Sequence, residues 1–114
     1  MESEYELTRD HIRAHSGPFT LEEQQEAESE PAVLHADAFA LRLRAKEGEN
    51  PPTLEEWGTH YRRKAPLLVR LSLSDPLRYE DLAREAVTQW REATAIAAIG
   101  TGDDAERWLA NRGH

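Results

Sequence analysis

DPLRYEDLAREAVTQWREATAIAAI, residues 75–99, is the stretch on which the fold turns. Asp75 is a helix N-cap residue and Pro76 stands at the first helical position, where a missing N–H costs nothing. Tyr79, Leu82, Ala83, Ala86, Val87, Trp90, Ala93 and Ala97 then recur at helical spacing on one broad face. Arg84, Glu85, Thr88, Arg91 and Glu92 cover the other. A core helix running to about Ile99 follows, and Gly100-Thr101-Gly102 stops it. Asp103-Asp104 opens a last short helix presenting Ala105, Trp108 and Leu109.

Immediately upstream the pattern is ambiguous. Leu67, Val69, Leu71 and Leu73 alternate with Arg70, Ser72 and Ser74, the period of a half-buried strand. A lone strand needs a partner edge and nothing else in the chain alternates, so 67–73 is read as a short helix, with a strand as the competing assignment. Before it, Thr53-Leu54-Glu55-Glu56 has the form of a capping box and predicts a helix over 54–64 that carries Leu54, Trp57 and Tyr61 on one face. Arg62-Arg63-Lys64 then reads as charge complementing the negative helix end, with Pro66 as the stop.

Residues 31–46 predict another helix, closed by Gly48 and Asn50-Pro51-Pro52. It carries two apolar stripes. Leu34, Ala38, Leu41 and Ala45 make one; Val33, Ala36, Ala40 and Leu43, with Phe39, make the other. Asp37 with Arg44, and His35 with Arg42 and Lys46, form narrow polar seams between them. A helix apolar on two sides is expected to be covered on two sides, inside its own domain or, failing that, by another chain.

The first thirty residues differ in kind. They hold nine acids against Arg9 and Arg13, whereas the rest hold thirteen acids and twelve bases, so the net charge of -8 is a property of residues 1–30. Ser3-Glu4-Tyr5-Glu6 and Thr20-Leu21-Glu22-Glu23 are two more capping boxes, predicting helices to about His15 and from Leu21 onward, broken at Ser16-Gly17-Pro18. Such a field repels phosphates and anionic membranes and attracts basic surfaces. Glu22, Glu23, Glu26, Glu28 and Glu30 are the candidate contacts to a basic partner, and Arg62 and Arg63 those to an acidic one.

Chemistry finds little purchase. With no cysteine there is no disulfide, thiolate or iron-sulfur site. His11 and His15 share the spacing of a zinc pair but lack further ligands nearby, and the same holds for Glu56 and His60. Gly100-Thr101-Gly102 lacks the remaining glycines and the lysine of nucleotide-binding loops. A helix-turn-helix around Ser74-Asp75-Pro76 would offer Arg78, Arg84, Gln89 and Arg91 to DNA, but Glu80, Asp81, Glu85 and Glu92 share that helix.

The expectation is a single all-α domain over 1–114, a compact bundle of five or six helices, without cofactor or metal. It would act without catalysis by binding another protein, with Phe39 and Leu43 on the exposed stripe as further candidate contacts. An acidic inhibitor or nucleic-acid mimic seated in a basic cleft, and a homo-oligomeric assembly or virion component, are the alternatives. No run approaches a membrane span, and with an acidic start that has no apolar core a cytoplasmic location is the expectation. Twelve Arg against two Lys beside abundant Ala suggest GC-rich coding, as in a bacterium or its phage.

Overall fold

A computed structural model describes residues 3–48, 50–99 and 102–112, with side chains at all of these except 99, 102–104 and 112. Six helices follow in order: α1 (Glu4–His15), α2 (Leu21–Ala27), α3 (Glu30–Glu47), α4 (Leu54–Ser74), α5 (Pro76–Ile99) and α6 (Gly102–Arg112). The architecture is all-α, with no strand among the described residues. The Gly100-Thr101 stop lies outside the described residues; the other helix boundaries, the end of α4 apart, fall within about two residues of those read from capping and periodicity.

The frame is an antiparallel hairpin of α4 and α5. Asp75 alone separates them; its backbone N–H caps α4 on Leu71 O, and its carboxylate accepts from Arg78 N at 3.3 Å to open α5. Two clusters lie along the hairpin. Near the turn, Ala65, Leu68, Val69 and Leu71 meet Tyr79, Ala83, Ala86 and Val87; at the far end, Trp57 and Tyr61 meet Ala93 and Trp108. Trp90 packs against both. On α5, Leu82 and Ala97 depart from the expected face: both are exposed, at the edges of an apolar stripe wider than the hairpin can cover.

α4 overturns the expected stop at Pro66 and excludes the strand at 67–73. The helix runs ten residues past Lys64 to Ser74 with Pro66 inside it. Pro66 has no N–H for the Arg62 carbonyl, a defect of about 3 kcal/mol. Beyond it Leu68, Val69 and Leu71 are all buried, and each such side chain is worth roughly 1.5–3 kcal/mol, so packing wins. One member of the supposed polar side of the strand is also internal. Ser72 is buried, donates to Val69 O at 2.6 Å and accepts from the Tyr5 hydroxyl at 2.9 Å. This bond docks α1 on the hairpin.

The same result corrects the reading of Arg62-Arg63-Lys64. These residues sit in the middle of α4, where there is no free carbonyl end to complement. Arg63 instead reaches Asp37 on α3 at 3.7 Å.

The N-terminal helices are held by their own charges. Glu4 pairs with Arg91 (3.4 Å) and Glu6 with Arg84 (4.0 Å), whose guanidinium also stacks 4.5 Å from the Tyr5 ring centroid. Glu6 is thereby drawn from the reciprocal half of the first capping box, leaving Ser3 Oγ to accept from Glu6 N (3.2 Å). The boxes at Thr20 and Thr53 are complete. Arg70 secures the turn after α1, donating to Gly17 O at 3.0 Å and lying 4.1 Å from the Phe19 ring centroid. Gly17 there has φ 70°, a left-handed geometry that a Cβ would strain.

The molecule measures 42 × 32 × 20 Å. Its thin dimension is about two helix diameters, so helices form two layers and no third. That limit decides the fate of α3.

Candidate functional site

α3 packs on the hairpin through one stripe alone. Leu34 and Ala38 are buried and Leu41 and Ala45 half-buried, whereas Val33, Phe39 and Leu43 are 49%, 59% and 44% exposed and Ala36 and Ala40 stand out with them. The expectation of cover on both sides within the domain is therefore wrong, because the two-layer slab offers nothing to lie over the outer face. At about 100° per residue, Phe39, Ala36, Leu43, Ala40 and Val33 form one continuous crest. Large apolar side chains gathered on one exposed helix face are uncommon on a surface that buries its partners elsewhere.

Clefts flank the crest on both sides. The larger, about 980 Å³, lies between α3, the start of α4 and α6, and is lined by Phe39, Leu43, Ala45, Pro51, Pro52, Trp57, Leu109 and Ala110 with Arg42, Lys46 and Glu106. Its surface is mainly apolar. Trp57 is buried, and its indole N–H has no acceptor among the described residues. The smaller cleft, about 450 Å³, lies on the Asp37 and Ala40 side of α3 and carries Thr53, Glu55, Glu56, Thr59, His60 and Arg63.

Local chemistry holds the wall between α3 and α4 in place. Gly48 ends α3 at φ 77°, releasing the chain toward Pro51-Pro52. Arg44 then donates to Asn50 O (Nε 3.1 Å, Nη2 2.9 Å) and grips the Glu56 carboxylate with both terminal nitrogens. Glu56 also accepts from Thr53 N at 3.3 Å in the α4 capping box. The Arg44 hydrogen bond is the main reason that the Glu56 carboxyl titrates below its usual range, and Glu56 in turn raises Arg44. One guanidinium thus ties the end of α3, the connecting loop and the start of α4 together.

His60 is the anomalous polar group. It is 6% exposed, and neither ring nitrogen has a partner among the described residues. Trp57 and Tyr61 stand against it at centroid distances of 6.0 and 5.1 Å. Burial pushes its pKa down to about 4, helped by Lys64, Arg42 and Arg63 and opposed by Asp37.

The sequence-derived candidates separate into distinct places. Phe39 and Leu43 come together on the large cleft. Arg63 lines the small one, while Arg62 is exposed and lines neither. Glu22, Glu23 and Glu26 lie on α2, Glu28 caps its C-terminal end and Glu30 opens α3, and none of the five lines either cleft. Glu23 is committed to the Thr20 capping box, which lowers its pKa, and Glu28 accepts from Gln24 at 3.1 Å. Glu22, Glu26 and Glu30 are exposed and form no ion pair with a described residue.

Residues that the sequence reading did not assign to a binding site complete the large cleft. Trp57, Leu109 and Ala110 arrive from helices distant in the chain, and Arg42 and Lys46 lie three and seven positions after Phe39. That last spacing was a usable signal, since it puts both cations beside the crest. The arginines offered to DNA are otherwise engaged: Arg84 and Arg91 face Glu6, Glu80 and Glu4, and Arg78 lies over Tyr79. His11 and His15 stack at 4.1 Å, with His15 Nδ1 3.0 Å from His11 O. Among the described residues no three His, Asp or Glu converge as a metal site, and no helix is long and apolar enough to cross a membrane.

Compared with protein-family models, with curated proteins and with solved structures, the chain matches none.

Proposed function

We propose that this chain is a non-enzymatic protein-binding module that takes its partner on the crest of α3 and in the large cleft beside it. The observation that carries this is the exposure of Phe39, Leu43 and Val33 on one helix face above an apolar cleft of about 980 Å³. Burying side chains of this size is worth roughly 1.5–3 kcal/mol each, and a few such anchors supply most of the energy of a protein interface. A second reading, docking on a basic surface, is favoured only by the unpaired Glu22, Glu26 and Glu30.

Two variants separate these readings, and a third reports on self-assembly. Wild-type, F39S/L43S and E22Q/E26Q/E30Q proteins serve as baits in lysate of the source organism, and the recovered partner is purified and titrated by calorimetry. Loss of at least about thirtyfold in affinity with F39S/L43S, and little change with the Gln variant, is expected. The reverse pattern transfers the function to the acidic segment. Sedimentation of V33S/F39S, compared with wild type at high micromolar concentration, tests homo-oligomers: a wild-type oligomer that this variant dissociates would replace the partner by a second copy.

A further inference from the structure

We propose that the occupant of the large cleft is an amphipathic helix of another protein whose apolar face is edged by carboxylates, which Arg42 and Lys46 receive. This rests on the module reading above and adds the chemistry of the ligand. Three helices, α3, α4 and α6, contribute to the walls. A helix about 10 Å across and 5.4 Å per turn occupies roughly 400 Å³ per turn, so the cleft of about 980 Å³ takes about two turns. Two turns present apolar anchors at i, i+3, i+4 and i+7, the pattern of helix-in-groove recognition.

Charge sets the edge of that ligand. In a chain of net charge -8, the charged residues lining this cleft are Arg42 and Lys46 against Glu106. Neither cation forms an ion pair with a described residue, although six other arginines on α1, α3, α4 and α5 are paired with neighbouring carboxylates. Unpaired cations beside an apolar floor complement a carboxylate and repel an ammonium. They also argue against a second copy as occupant. A two-fold interface is self-complementary, so pairing on this crest would gather four unpaired cations into one patch.

The test uses two synthetic peptides with one apolar helical face, flanked by Glu in the first and by Lys in the second. Each is titrated by fluorescence anisotropy at low salt into the full chain. Wild type should bind the Glu peptide at least about tenfold more tightly than the Lys peptide, R42E/K46E should reverse that order, and F39S/L43S should lose both. Equal binding of the two peptides by wild type, a preference for Lys, or no binding of either overturns the inference. So does a wild-type dimer that F39S/L43S makes monomeric. Charge-blind binding abolished by F39S/L43S leaves the module reading standing. The module reading itself falls if F39S/L43S keeps the native partner, or if wild type is an oligomer that V33S/F39S dissociates.

Discussion

His60 makes stability depend on pH in a window where carboxylates contribute little. Its folded pKa is about 4 against an unfolded value of 6.5. Between those values the unfolded chain holds the proton and the folded chain does not. Stability is therefore full above about pH 6.5 and is lost as the pH falls toward 4. The whole shift corresponds to about 3 kcal/mol, and integrating from pH 7 to pH 5 gives a loss of about 2 kcal/mol. Burial is the largest cause of the shift; the charged groups facing the ring are Lys64 and Arg63 on α4 and Asp37 and Arg42 on α3, of which the three cations act with burial and Asp37 against it.

Urea unfolding at the two pH values measures the effect, with H60F as the comparison. Phenylalanine preserves an aromatic ring beside Trp57 and Tyr61 while removing both partnerless nitrogens. Each buried unsatisfied group costs about 1–3 kcal/mol, so H60F should be no less stable than wild type at pH 7. At pH 5 it should be more stable by about 2 kcal/mol beyond any difference at pH 7. If wild type and H60F lose the same free energy between pH 7 and 5, His60 is not the buried neutral group described. An imidazole resonance of His60 titrating near 6.5 in the native protein would refute the reasoning as directly.

Three further outcomes follow from the packing. P66A restores an N–H for the Arg62 carbonyl, and should raise unfolding free energy by about 2 kcal/mol after the gain in unfolded-chain entropy is subtracted; a destabilised P66A would mean that the proline ring supplies packing α4 requires. Y5F removes the donor to Ser72, costing about 1 kcal/mol in urea melts and speeding amide exchange in α1; unchanged exchange would show that this bond does not hold α1 down. F39S/L43S should cost no more than about 2 kcal/mol in urea melts, because both side chains are only about half covered within the chain, and a larger loss would return the crest to the core.

Where the chain forms helices was largely legible from residues close in sequence. Thr20, Thr53 and Asp75 announce helix starts by bonds to donors three residues away, and Gly48 announces a stop by a backbone angle that does not depend on the rest of the fold. Pro66 shows where such reasoning fails. Its local cost is real, but Leu68, Val69 and Leu71 are buried in one cluster with Tyr79, Ala83, Ala86 and Val87, thirteen or more positions beyond Pro66, and no short window around Pro66 contains them. Arg62-Arg63-Lys64 was misread for the same reason, since a helix end was assumed where the helix continues.

The cleft belongs to the other class of fact. Two apolar stripes on residues 31–46 can be counted from periodicity, yet which of them is covered depends on how many layers the domain has. The interior against α4 takes Leu34, Ala38 and Leu41, Ala45 opens on the large cleft, and a body 20 Å thick has no helix left for Val33, Phe39 and Leu43. Capping and helical period act over one turn and are written in the chain itself. Cover, cleft walls and the gathering of Phe39, Trp57 and Leu109 round one cleft depend on contacts between distant segments, which exist only once those segments have packed.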